Sequence, residues 1–492
     1  MELTGIKRRC DDSEHARQHV YYATENAEDV VKMSKDNPVV SIVHRDIVPG
    51  TPGEYDQNSL NVVQGMVKEA IDLAGGIEKF VKPGNSVFLK PNVVGAIPPE
   101  FGCTTDLRVL EGLCNIILDT VPSVSGLTIG ESCASPGKAK VAFESTGISR
   151  MCKRLGVKEC YFDDVERVPV NVPGGVIKKT LLLPKPLLDA DVYIGVPKLK
   201  CHPFESVTLC LKNQHGLLSH SEMLGHHRDD GHQKFVDIYR AIRPHLNLVD
   251  GIYAMQGTNV SNDRNHIITD MNVVLAGEDG VAVDAVGSAI MGYSPDEIPT
   301  TRLASMLKLG VGDLRNITVK GAPIETVTRR FQRPLFFCDG LDPDIRTYIG
   351  GACIGCKVTI IQGCVNLHGA LEGRATFTPQ IRREAFRRLF GHLTIISGVT
   401  APVPEEPDSG LVIVVGNCAK EHKDKGIFLP GCWAASGEPI LDLQIVDNAT
   451  GREKIIEGTK ISELGGSPYI WDLDNLPLMV ISEMEKKLRE DL

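Results

Sequence analysis

The sequence predicts an α/β protein: a largely parallel sheet domain with flanking helices, followed by a smaller α/β domain. Three observations predict it. Short β-branched runs alternate with helical patterns over most of the chain. Several of these runs end directly in polar residues, as strands feeding ligand-binding loops do. A Pro- and Gly-bearing seam lies near residues 321–345, with Pro323, Pro334, Gly340 and Pro343, and the pattern restarts beyond it.

In chain order, residues 1–37 are polar and weakly patterned and read as a tail. The first strand is expected at Val39–His44. The second, Ser86–Leu89, runs into Lys90, Pro91 and Asn92, and the third, Gly126–Ile129, into Gly130, Glu131 and Ser132. The fourth, Asp191–Val196, runs into Pro197, Lys198, Leu199 and Lys200. Asn247–Val249 leads into Asp250, and Asn272–Ala276 into Gly277, Glu278 and Asp279. Apolar spacing predicts helices over Asn61–Leu73, Leu107–Leu118 and Ala282–Met291. Strand alternating with helix favours parallel pairing with helices on both faces. The first domain is therefore drawn over 38–325 and the second over 335–492. In the latter, Leu393–Ser397 and Leu411–Val415 read as buried strands, Pro402–Asp408 as an exposed loop and Pro477–Leu492 as a charged helix.

Composition narrows the function. The 492 residues carry 53 basic and 63 acidic side chains, a net charge of -10, which disfavours broad electrostatic binding to nucleic acid. It leaves room for a local basic pocket. Met1–Cys10 is polar, with Lys7, Arg8 and Arg9 and no apolar stretch behind it, so no secretory signal is expected. No apolar run reaches the length of a membrane span. The expected location is the cytoplasm, without nucleic acid or membrane as partner. Fourteen cysteines in a reducing compartment then read as buried thiols, metal ligands or redox groups rather than a disulfide framework.

Five cysteines fall in the C-terminal part. Cys353 and Cys356 form a C-x-x-C, Cys364 follows, Cys418 comes directly after a predicted strand, and Cys432 sits in Pro430-Gly431-Cys432-Trp433. Four thiolates suit a [4Fe–4S] cluster or zinc. Gly351, Gly355, Gly416 and Gly431 let backbone N–H groups approach sulfur and stabilise a negative centre. Structural zinc sites usually close with a second tight Cys pair, whereas the last two cysteines here lie on separate loops. That favours iron–sulfur, with zinc the alternative and unconnected buried thiols the plain reading. The order of these cysteines is similar to the cluster ligands of the small subunits of nickel–iron hydrogenases and respiratory complex I. That resemblance implies Cys353, Cys356, Cys418 and Cys432 as the ligands, with Cys364 a spare thiol or a replacement. Trp433 departs from it, standing where those proteins usually have proline.

In the first domain the polar groups gather at strand ends, where open α/β sheets bind ligands. Lys198, Lys200 and Lys212 suit an anionic substrate, and His202 or Glu131 could move protons. Lys90, Asn92, Asn213 and Asp250 complete the expected substrate site. Taken singly, each has a plain reading as a solvated loop residue, and Asp106 as a helix cap. Asp279 reads as a cap, and Asp284 as either a cap or a site residue. Seven of the 14 histidines lie between His202 and His245. His226, His227 and His232 could bind a metal, or the segment could be a polar loop over a pocket. A Walker A loop, a G-x-G-x-x-G following a strand and a nucleophile elbow are missing, which disfavours an ATPase, a standard nicotinamide enzyme and an α/β-hydrolase.

Several motifs occur together in order: Lys90-Pro91-Asn92, Thr104-Thr105-Asp106, Gly130-Glu131 and Pro197-Lys198-Leu199-Lys200-Cys201-His202. After them come Val207-Thr208, Leu211-Lys212-Asn213, Gly216, Asp250-Gly251, Ala282-Val283-Asp284 and Met291-Gly292. Over about residues 39–315 the chain resembles the family catalogued as domain of unknown function 362. Two departures are Cys201, where threonine is usual, and Gln256-Gly257-Thr258-Asn259, where a Glu-Gly-x-Gly-Pro run is common. Members of that family are often joined to iron–sulfur modules, so the resemblance implies a redox setting of anaerobic metabolism. The leading expectation is an oxidoreductase that delivers electrons from a [4Fe–4S] cluster to a small anionic substrate, with a possible redox partner protein and a possible homodimer. The rivals are a metal-dependent hydrolase or transferase with structural zinc, and an electron carrier or assembly partner.

Overall fold

The computed structural model describes residues 37–460 apart from 54–55, 133–138, 203–204, 220–221, 224–230, 258–265, 335–340, 351–359, 362, 365–366, 369–370, 372–378, 399, 404, 406–409, 430–439 and 448–451. The expected N-terminal tail (but for residue 37), the helix over Pro477–Leu492 and most of the Pro402–Asp408 loop lie outside the described residues.

The large sheet takes its strands from β1 (Val39–His44), β2 (Ser86–Pro91), β3 (Gly126–Glu131), β4 (Lys158–Tyr161), β7 (Val192–Val196), β8 (Lys198–His202), β9 (Ser206–Thr208), β10 (Leu246–Met255), β11 (Ile267–Ile268), β12 (Val273–Gly277) and β13 (Thr318–Gly321). A separate hairpin is formed by β5 (Arg167–Asn171) and β6 (Thr180–Pro184). The main path runs β13-β1-β12-β10-β7-β2-β3-β4. Its pairings are parallel, save that β12 lies antiparallel between β1 and β10.

Both faces are covered, and the alternation of side chains shows how. Val87, Leu89, Val192, Ile194, Leu246 and Leu248 face one core, with helices Gln57–Leu73 and Leu107–Thr120. Phe88 and Tyr193, one residue out of step, face the opposite side and pack with helix Gly231–Ala241. Val249, Val273 and Leu275 pack on that opposite side against helix Gly280–Ile290. Strands buried on both faces need apolar residues at nearly every position, which is why these runs read as continuous rather than alternating. Helix Gln57–Leu73 starts where Asp56 accepts a hydrogen bond from Ser59 N at 2.7 Å. Its Val63, Val67 and Ile71 are fully buried, each stabilising by about 1.5–3 kcal/mol, against about 1 kcal/mol for the cap. Packing therefore outweighs capping in holding this helix.

Chain order places a switch point. From β2 the chain moves to β3 and β4 on one side, then returns to β7 on the other side of β2. The carboxyl ends of β2 and β7 thus border the switch point, where the rule for open α/β sheets expects a ligand crevice. Two expectations need correction. Lys198, Lys200 and His202 lie in a strand, β8, rather than a loop, because β8 pairs with both β10 and β9. Asp250 lies inside a ten-residue β10 rather than after it, since pairing with β8 and β12 extends that strand.

Beyond residue 340 a second sheet is wholly parallel, in the order β14 (Ile345–Ile349), β15 (His392–Ser397), β16 (Gly410–Val415) and β17 (Ile427–Leu429). Ile345, Leu393, Ile395 and Ile413 pack against Ala385 and Phe386 of helix Pro379–Phe390. A hairpin, β18 (Ile440–Asp447) and β19 (Arg452–Lys460), follows. Among the described residues no helix is long and apolar enough to cross a membrane.

Candidate active site

Two buried ion pairs stand on either side of the switch point. Lys90, the penultimate residue of β2, is fully buried and donates from Nζ to Glu131 Oε2 at 2.5 Å and to the Pro91 carbonyl at 3.2 Å. Glu131 ends β3, and its Oε1 accepts from Ser132 N at 2.9 Å. Burial pushes Glu131 up to about 7 and pulls Lys90 down, while their attraction opposes both shifts. Across the crevice, Lys198 Nζ donates to Asp250 Oδ2 at 2.7 Å, with both side chains at zero exposure. Asp250 also accepts from Asp106 N at 2.7 Å and from Ile252 N at 3.0 Å. Burial raises its carboxyl above the usual range, with Lys198 working against that.

The framework between the pairs is rigid for identifiable reasons. Thr105 Oγ1 accepts from Asn92 N at 2.8 Å and donates to the Val196 carbonyl at 2.9 Å, tying the ends of β2 and β7 together. Asn92 donates its amide to the Cys103 carbonyl at 2.7 Å. Asp106 caps helix Leu107–Thr120 through Arg108 N at 2.9 Å and takes the Arg108 guanidinium at 2.7 Å. Asn92 and Asp106 thus hold the loop in shape. Sequence reading placed Asn92 in the substrate site, and its described bonds are structural.

Two further lysines have a different environment. Lys200 is nearly fully buried, and among the described residues its Nζ reaches only the Cys103 carbonyl, at 3.4 Å. Lys212 is half-buried yet packed closely enough that burial dominates its titration, and its Nζ lies 5.5 Å from the centroid of the Phe235 ring. Among the described residues no carboxylate stands within ion-pair distance of either. Burial lowers Lys200 to about 8, with Lys198 adding repulsion, and lowers Lys212 to about 7, with Lys200 and Lys90 adding repulsion.

The segment bearing Lys212 is pinned from below. Asp284, fully desolvated and pushed up to about 7, accepts from Cys210 N at 2.6 Å and Leu211 N at 3.1 Å. Its role is to hold this turn, which resolves the two readings left open from sequence. Asp279 caps helix Gly280–Ile290, as expected. Asn213 reaches the Lys90 carbonyl at 3.5 Å, the limit of a hydrogen bond. Ser132 Oγ donates to the Gly216 carbonyl at 2.8 Å, closing the turn over Glu131. A Cβ on Gly216 would come within 2.0 Å of Glu131 Oε1 and 2.8 Å of Lys90 Nζ. Glu131 cannot swing aside without leaving Lys90, so Gly216→Ala is expected to cost about 1–3 kcal/mol in urea unfolding. Unchanged stability would mean that the turn is not seated against the pair.

His202 is half-buried, and its Nδ1 accepts from Glu205 N at 3.4 Å. His232 Nδ1 pairs with Glu205, itself buried. His226 and His227 lie outside the described residues. Sequence reading missed Glu205 and Phe235. A lone Glu behind His-Pro-Phe reads as a solvated loop residue, and Phe235 reads as helix core.

In the second sheet, Cys418 lies in a 3-10 segment that opens after β16, with Gly416 at a φ of 104° between them. Cys353, Cys356 and Cys432 lie outside the described residues. Cys364 is buried in the apolar cluster beneath β14, β15 and β16.

Comparison with known proteins agrees with these strand-end motifs. Residues 87–289 match the family described as Domain of unknown function (DUF362). The thylakoid-associated protein sll1697 of Synechocystis sp. is 26% identical over 251 residues, which cover 50% of this chain and 74% of that protein. A solved structure, the lactate racemase apoprotein from Thermoanaerobacterium thermosaccharolyticum, aligns over 75% of this chain and 85% of its own, at 10% identity and a TM-score of 0.33. So distant a likeness leaves the chemistry of the crevice to be argued from its own residues. Lys90, Glu131, Lys198, Lys200, Lys212 and Asp250, which converge at the switch point, all fall inside residues 87–289, the segment of this chain that matches the DUF362 family.

Proposed function

We propose that the protein is an iron–sulfur oxidoreductase whose first domain binds a small anionic substrate at the switch point. One observation carries the binding half: Lys200 and Lys212 are desolvated beside the switch point, with no carboxylate in ion-pair reach among the described residues. Desolvating an ammonium without a counter-charge is costly. Lys90 and Lys198 have carboxylate partners at close range, so the crevice neutralises some of its lysines and leaves two for something else. A substrate carboxylate or phosphate supplies the missing charge.

The redox half rests on topology. Strands β14, β16 and β17 are parallel members of one sheet, so their carboxyl ends share an edge. Along the chain, Cys353 and Cys356 follow β14, Cys418 follows β16, and Cys432 follows β17. Four cysteines that follow these strands along the chain suit a [4Fe–4S] cluster, which when bound supplies single electrons. Zinc is the alternative occupant of the same thiolates. Glu131 is placed to hold or release a proton near neutral pH as substrate charge changes.

Anaerobic purification followed by metal analysis and EPR tests the redox half, and calorimetry with phosphate, sulfate and acetate tests the binding half. The expected sample is brown, contains iron and sulfide, gives an EPR signal on reduction and binds at least one of these anions saturably. A colourless protein with stoichiometric zinc would remove the redox reading. No saturable anion binding would remove the crevice.

A further inference from the structure

We propose that Lys212 is a nucleophilic amine that condenses with the carbonyl group of a 2-oxo carboxylate bound in the lysine crevice. This step rests on the anion-binding reading of the crevice and goes further, naming the substrate class and a covalent bond.

An amine that attacks a carbonyl must be accessible, unprotonated at working pH and free of a carboxylate that would hold its proton. Lys212 meets each requirement through its surroundings. It is half-buried, which leaves it nearer to solvent than Lys90 and Lys198. Its Nζ packs toward the Phe235 ring, an apolar wall on one side. Burial first, and like charge from Lys200 and Lys90 second, lower its titration. The nearby carboxylate, Glu205, is bonded to His232 instead. Lys200 is the natural partner for the substrate carboxylate, because among the described residues its ammonium has only a carbonyl at 3.4 Å.

The step balances without an oxidant. The lone pair on Lys212 Nζ forms a bond to the carbonyl carbon, and the C=O electron pair moves to oxygen, which takes one of the protons from the attacking nitrogen. The hydroxyl then takes a second proton, the carbon–oxygen bond breaks as the nitrogen lone pair forms the C=N bond, and water leaves, giving a protonated imine. His232 and Phe235 lie three residues apart on helix Gly231–Ala241, so they share a face of it. That puts the Glu205–His232 pair on the Lys212 side of the helix, as a proton source for the departing hydroxyl.

The test uses the full-length protein with pyruvate as probe, reduction by borohydride, and mass mapping of the modified peptide. An unshifted lysine is neutral at pH 7 in only about one molecule in a few thousand, so the reduced adduct on Lys212 is expected to exceed that on any lysine of ordinary titration at least ~10-fold. Lys212→Met abolishes it. Site mapping on the unmodified protein stands whether or not that variant folds. Calorimetry with pyruvate, without borohydride, separates the two claims. Saturable binding with no adduct at Lys212, or with adducts spread over many lysines, overturns the imine and keeps the anion crevice. Neither binding nor adduct overturns both.

Discussion

Asp250→Asn is expected to destabilise the protein by about 3–5 kcal/mol, read as a fall in the urea midpoint. The carboxylate holds three donors: Lys198 Nζ, the Asp106 backbone amide that starts a helix, and Ile252 N. An asparagine keeps an acceptor for one backbone amide and turns its own N–H groups toward an ammonium at zero exposure. The dominant cost is the uncompensated charge on Lys198, since the packing volume hardly changes. The double variant Asp250→Asn with Lys198→Met separates these contributions. Removing the ammonium as well is expected to recover most of the loss, as apolar replacement of both members of a buried pair commonly does. If the double variant is no more stable than the single one, then the backbone bonds to Asp250, rather than the charge pair, hold this part of the sheet. Anion binding should weaken little in the double variant, because Lys200 and Lys212 remain.

That contrast bears on what sequence alone could tell. The end of β2 was legible because an apolar run stops at Lys90, and that of β3 because its short β-branched run gives way to Gly130 and Glu131. The grouping of lysines was legible for the same reason, through the rule that ligands gather at carboxyl ends. Which lysines have partners was not. Lys198 finds Asp250 fifty-two positions away, through register between β8 and β10 that no local pattern encodes. Lys90 and Glu131 pair because β2 and β3 are neighbours, a matter of strand order rather than strand identity. Asp106 announced itself as a cap, but its bond to Asp250 depends on long-range packing. Asp284 shows the converse: its place near a helix start suggested a cap on its own helix, and it instead holds a turn seventy-four positions away. In the second sheet, strands β15 and β16 were legible from their apolar runs, whereas β14, with Arg346, Thr347 and Tyr348 in its five residues, is too mixed to stand out.

Lys212→Met should leave the fold at least as stable at pH 7 and weaken anion binding at least ~10-fold, the loss of a charge-assisted contact of about 1.5–3 kcal/mol. The sign follows from linkage. In the unfolded chain Lys212 keeps its proton to about pH 10, whereas in the folded chain burial and neighbouring lysines release it near 7. Between those values the unfolded state binds more protons, so this residue makes stability rise with pH across that window. Lys200, lowered to about 8, adds a similar rise that begins slightly higher. Glu131 acts oppositely: the folded state holds its proton up to about 7, so stability falls as pH rises from about 4 to 7. Unfolding free energies of Lys212→Met should therefore show a shallower rise above pH 7 with the slope below pH 7 unchanged. Ligand affinity should run the other way. An anion favours the charged amine, so binding in the unmodified protein weakens as pH climbs through about 7 to 8, and the variant loses the lower part of that dependence. A group that lowers stability at neutral pH yet sits on an otherwise well-satisfied framework makes sense where binding requires it. If the variant instead proves less stable and binds anions with unchanged affinity and pH dependence, Lys212 is a packing element, and the crevice must find its positive charge in Lys200 alone.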